Sequence, residues 1–154
     1  MILAGYALAL VFSLTAQSAG TLAPAAEGLT AAEKERLARE QKLDNRIKIY
    51  ETASKRLLKS LETAVLKEQY DSDLPILRAW TGLLNTAFAD IDKNASRKKK
   101  SKALIRLEIQ LRKALADVQE YKIRAPIDQQ DAFDSFLARS EEIRKKFVGI
   151  LFPS

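Results

Sequence analysis

The chain has 154 residues, no cysteine and no histidine, and a formal net charge of +6 from 26 basic and 20 acidic side chains. Without cysteine there are no disulfides, thiol nucleophiles or acylated-cysteine anchors; without histidine the commonest neutral-pH base and the usual zinc and di-iron ligand sets are missing. Glycine is scarce, with Gly82 and Gly149 the only ones after Gly28, so there is no glycine-rich phosphate loop.

The first charged side chain is Glu27, and residues 2–14 are almost wholly apolar. This pattern predicts a secretory signal peptide over residues 1–19, cleaved after Ser18 or Ala19, where Ala16 and Ser18 supply the small residues that cleavage needs. The basic start of such a signal is absent. A retained anchor and a buried helix are the competing readings. The apolar run is shorter than the roughly 20 residues that span a bilayer. The expected address is therefore the periplasm or exterior of a bacterium. A disulfide-free exported chain fits that setting better than a small eukaryotic secreted domain. Residues 20–29, small and broken by Pro24 and two glycines, read as a flexible linker, and residues 30–154 as one domain.

The rest reads as helix. Thr30-Ala31-Ala32-Glu33 is a capping box. The first predicted helix runs from there to about Tyr70, with a stripe of Leu43, Ile47, Tyr50, Ala53, Leu57, Leu61 and Ala64 at steps of three and four. So long a helix either bends or projects beyond the core; residues 31–41 lack a stripe, which favours projection. Asp71-Ser72-Asp73 with Pro75 opens the second helix, whose stripe is Ile76, Leu77, Trp80, Leu83, Leu84, Ala87, Phe88 and Ile91. Gly82 within it suggests a close helix contact. The third helix carries Leu104, Leu107, Leu111, Leu115 and Val118 and stops at Ala125-Pro126. Asp128 is the expected cap of a fourth, with Phe133, Phe136, Leu137, Ile143, Phe147 and Leu151. The apolar end, residues 148–153, is expected to dock onto the other helices. Short connections favour antiparallel neighbours. The expectation is an all-α, up-and-down antiparallel four-helix bundle with a long first helix.

The charge is uneven. Residues 94–124 hold ten basic and three acidic side chains, a net +7 that exceeds the whole-chain value. The candidate polyanion-binding residues are Arg97, Lys98, Lys99, Lys100, Lys102, Arg106, Arg112 and Lys113. Clustered cations gain from counterion release and from the potential of anionic lipid heads. The plainer reading is a solvated helix face. Lysines in a first helical turn oppose the helix dipole, so either they have a use or the helix starts later, near Ser101. Nucleic acid is disfavoured, because Tyr121 is the one aromatic side chain near the cluster and stacking needs several.

No residues form a recognisable catalytic, cofactor or metal arrangement. Asp128, Asp131 and Asp134 suit a first turn better than a cation site, and Trp80 with the phenylalanines suits a core. The expectation is a non-enzymatic exported protein that binds a partner protein or itself. The alternative partner is an anionic membrane surface or a polyanionic envelope polymer.

Overall fold

The computed structural model describes residues 28–96 and 98–154. The expected signal peptide, residues 20–27 of the expected linker, and Arg97 lie outside the described residues. Within them the chain is all-helical: α1 (Ala31–Arg39), α2 (Leu43–Leu66), α3 (Asp73–Asn94), α4 (Lys102–Arg124) and α5 (Gln130–Leu151). Short 3-10 turns at Tyr70–Ser72 and Ile127–Gln129 precede α3 and α5.

The predicted stripes become the core. Ile47, Leu61, Trp80, Leu83, Ile91, Leu111, Phe133, Ile143 and Phe147 are fully enclosed. Ile76, Phe88 and Leu137 pack on its edge. Trp80 sits 4.9 Å from Phe136, ring centroid to centroid. Its indole N–H donates to the buried Ser54 hydroxyl at 2.9 Å, which satisfies a donor that would otherwise be costly to enclose.

Helix α2 packs against α3 and α4, and α5 packs against the same two. The α2–α3 pair is antiparallel, since Tyr50 meets Asp90 while Ser54 meets Trp80. So is α4–α5, where Glu108 meets Arg144 and Lys122 meets Asp134. Helices α2 and α4 are parallel neighbours: both begin at one end, where the Ser101 hydroxyl donates to Asp44 at 2.7 Å. Consecutive helices α3 and α4 therefore lie across the core from each other, and residues 95–101 cross the end of the molecule between them.

The long first helix expected from the sequence is two helices. The chain leaves helical geometry at Glu40, with ψ 122°, and re-enters at Leu43. Helix α1 does not project; it folds back along α2 with Leu37 buried. Two side chains hold the corner. The Arg46 guanidinium donates to the carbonyls of Leu37 (2.6 Å) and Glu40 (3.0 Å), filling acceptors that the end of α1 leaves open. The Glu40 carboxylate accepts from the Lys42 amide at 2.8 Å and from Asn45 at 3.1 Å, doing for the start of α2 what a capping side chain does.

At the other end of α1 the predicted capping box is formed: Glu33 accepts from the Thr30 amide, and Thr30 from the Glu33 amide. Glu33 also pairs with Arg56 at 2.8 Å, and Arg56 donates to the Gly28 carbonyl at 2.7 Å. Burial pushes the Glu33 carboxyl up, but Arg56 and the Thr30 amide outweigh it and hold it below the usual range. Gly28 and Leu29 are buried against α2 and α3. Gly28 has φ +66°, and a Cβ there would fall 2.4 Å from the Ala79 carbonyl oxygen, so only glycine fits.

One cap differs from expectation: Asp128 lies in a 3-10 turn, and the residue before α5 is Gln129, which makes no capping hydrogen bond. Helix α4 starts late, as one of the two readings of its lysines has it, capped by Ser101, whose hydroxyl accepts from the Leu104 amide at 3.1 Å.

Candidate functional site

The position of that Ser101 cap decides where the basic residues fall. Because α4 begins at Lys102, Lys98, Lys99 and Lys100 precede it in the crossing segment, and the conflict with the helix dipole does not arise. Together with Lys102 they are exposed at the end where α2 and α4 start and α3 and α5 finish. Among the described residues none of these four lysines forms an ion pair. The acids at this end include Asp44, bonded to Ser101, Asp92 in the last turn of α3, and Glu40 and Asp90, which are engaged at the α1–α2 corner.

The remaining candidates do not join this cluster. Arg106 and Arg112 lie along α4, each 4.0 Å from an acid, Glu51 and Glu108 respectively. Lys113 is exposed further along the same helix. The seven described candidates thus divide into an end cluster of four lysines free of ion pairs among the described residues and a helix stripe in which Arg106 and Arg112 lie beside carboxylates; Arg97 lies outside the described residues.

One residue the charge pattern did not single out joins the cluster. Phe152, just past the end of α5, is 57% exposed, and the Lys100 ammonium stands 3.9 Å above its ring centroid. The expected docking of the apolar end holds for Ile150 and Leu151, which are buried, but not for Phe152. Its signal was present in the sequence as one apolar residue beyond the last helical stripe position.

Elsewhere the hollows carry no reactive arrangement. An apolar groove of about 270 Å³ lies between Leu29, Arg56, Leu57, Pro75, Ile76 and Ala79. A polar hollow of about 530 Å³ is lined by Glu40, Arg46, Asp90 and Asn94. There Arg46 donates to Asp90 at 2.8 Å, Tyr50 donates to the same oxygen at 2.7 Å, and Asn94 donates to the other at 2.9 Å. Burial, then the Asp90 carboxylate, push the Tyr50 hydroxyl far above its ordinary range, so it stays protonated. This group is a structural clamp between α1, α2 and α3.

Asp73 is the one strongly perturbed carboxyl outside an ion pair among the described residues. It is fully buried, both its oxygens lack hydrogen-bond partners, and burial pushes it up to about 6. It is sealed from solvent, so a substrate cannot reach it. Among the described residues no group of three or more acids is placed to hold a metal ion, and no helix is long and apolar enough to cross a membrane. Comparison of the chain with protein-family models, curated proteins and solved structures finds no match.

Proposed function

We propose that this is a non-enzymatic, exported helical protein that acts by binding another macromolecule. In this reading α2 to α5, which alternate in direction along the chain, form a bundle behind a cleaved signal peptide. The partner is another protein or a second copy of the chain. The observation that carries the reading is the division of surface charge: Arg106 and Arg112 along α4 each lie beside an acid, whereas four lysines at one end have no ion-pair partner among the described residues. Exposed charges left unpaired in a cluster favour a complementary surface outside the molecule.

Two measurements test it. Fractionation of expressing cells with intact-mass analysis should place a product shortened by 18 or 19 residues in the envelope or medium. Sedimentation and cross-linking in that fraction should give a species larger than the monomer. A full-length cytosolic product would reject the export half, and a strict monomer with no adduct would reject the interaction half.

A second reading follows from the same lysines. The basic face of residues 97–124 binds an anionic lipid surface or a polyanionic envelope polymer, and the end cluster Lys98, Lys99, Lys100 and Lys102 is the part that supports it. Association should weaken as salt rises from about 50 to 200 mM, because screening and counterion release act on exposed charges.

A further inference from the structure

We propose that the lysine end of the molecule docks on an anionic lipid surface, with Phe152 as the side chain that enters the boundary between headgroups and acyl chains. The inference rests on the anionic-surface reading above and adds to it a partner, an orientation and an anchor.

Three observations carry it. Lys98, Lys99, Lys100 and Lys102, none of them ion-paired among the described residues, gather at one end of the helices over five sequence positions. A polymer lying along α4 would meet Arg106 and Arg112 beside Glu51 and Glu108, with their charge already partly offset. A planar anionic surface meeting the end would face Lys98, Lys99, Lys100 and Lys102, which outnumber the exposed acids Asp44 and Asp92 there.

The second observation is the exposed aromatic ring. Among the described residues the exposed large apolar side chains are Leu66, Ile123, Ile127 and Phe152. The first three sit at the opposite end, beside the two 3-10 turns. Phe152 alone shares an end with the lysine cluster. An exposed ring touched by one lysine of a basic cluster matches the layered chemistry of a bilayer interface, where an apolar side chain goes below the phosphates and ammonium groups remain among them.

The third is the contact of Lys100 with Phe152 at 3.9 Å. In water the ammonium covers the ring face, an arrangement stabilised by the ring quadrupole. On a membrane the flexible lysine stem lets the ammonium swing to a phosphate while the ring descends. The two groups are thus positioned to act together on one lipid layer.

The test is flotation of the full chain with vesicles of phosphatidylglycerol and phosphatidylethanolamine, against vesicles of phosphatidylcholine alone. The apolar residues 2–14 can partition into either, so the readout is the difference between the two vesicle types. The full chain should prefer the anionic vesicles, and each of Lys98→Gln, Lys99→Gln and Lys100→Gln should weaken that preference about fivefold. Phe152→Ala should weaken it about tenfold and leave binding to soluble polyphosphate unchanged. Phe152→Trp supplies a reporter. Trp80 is fully buried, so a blue shift of emission on anionic vesicles comes from position 152.

Equal binding to both vesicle types, or lysine variants that bind as the parent does, would overturn the proposal. Binding to polyphosphate with the Phe152→Trp emission unmoved by vesicles would overturn the lipid assignment and leave the polymer reading standing. Loss of binding to both ligands would remove the two together.

Discussion

Asp73 is a carboxylate at a position that the helical pattern assigns to the core. It lies one turn before Leu77 and continues the line through Trp80, Leu84 and Ile91. Asp and Pro75 both favour a first turn, and α3 does start at Asp73. What the sequence did not expose is that the same residue also points inward. Its amide donates to the Tyr70 carbonyl, which also accepts from Gln129 at 2.9 Å, so the two 3-10 turns are tied over it. The cost falls on the charged form. Below about pH 3 the carboxyl is protonated in folded and unfolded chains alike, and there is no penalty. As pH rises from about 4 to about 6 the unfolded carboxyl ionises while the buried one keeps its proton, and stability falls by up to about 3 kcal/mol before levelling off. Asp73→Asn should therefore match the parent near pH 3 and exceed it at pH 7 by about 1–3 kcal/mol, read from urea midpoints. A parent whose stability relative to the variant is flat between those pH values would refute the account. Ser54 was hidden in the same way: nothing local marks it as the acceptor for Trp80, because the two are brought together only by packing.

At the scale of elements, the periodic stripes were legible and the corner between α1 and α2 was not. Glu40, Gln41 and Lys42 are all good helix formers, so propensity gives no stop signal. The stop is tertiary. Arg46 can fill the carbonyls of Leu37 and Glu40 only if the chain bends, and in doing so it also reaches Asp90 on α3. Arg46→Ala leaves open carbonyls and takes the cation from a largely buried carboxylate. The expected loss is about 2–4 kcal/mol, with amide exchange across residues 31–39 rising more than elsewhere. If exchange there were unchanged while global stability fell, Arg46 would not be what holds α1.

The end of α2 carries the opposite situation. Glu68 has φ 56°, and the amides of Glu68 and Gln69 donate back to the carbonyls of Val65 and Ala64. This is the Schellman arrangement, in which glycine is the usual residue. Glu68→Gly should stabilise by about 0.5–1 kcal/mol in thermal melts, since it relieves the left-handed strain without touching a packed side chain.

For the whole molecule, composition and periodicity gave the class of fold, while the arrangement of helices came from packing alone. Short connections suggested that each helix lies beside the next. The structure instead puts α3 and α4 across the core, joined by seven residues over one end. Nothing in residues 95–101 encodes that path, because seven residues suit a neighbouring helix as well as an opposite one. The candidate site shared this fate: its lysines were legible as a charge excess, but their concentration at one end followed from where Ser101 starts α4 and where the crossing segment lies.

That crossing has a consequence for how the chain can fail. With neighbouring axes about 9 Å apart, the diagonal is about 13 Å. Deleting residues 95–99 leaves Lys100 and Ser101, which reach about 10–11 Å when fully extended. The α4–α5 hairpin could then no longer return to its own α2–α3 hairpin, while its apolar faces would be unchanged. The expected product is a domain-swapped dimer in which each hairpin completes the core of another copy, seen as a doubled mass by light scattering with parental helix content. A monomer with parental stability would show that the segment has slack to spare. The seven residues that present the lysines are, on this view, also what keeps each chain folded upon itself.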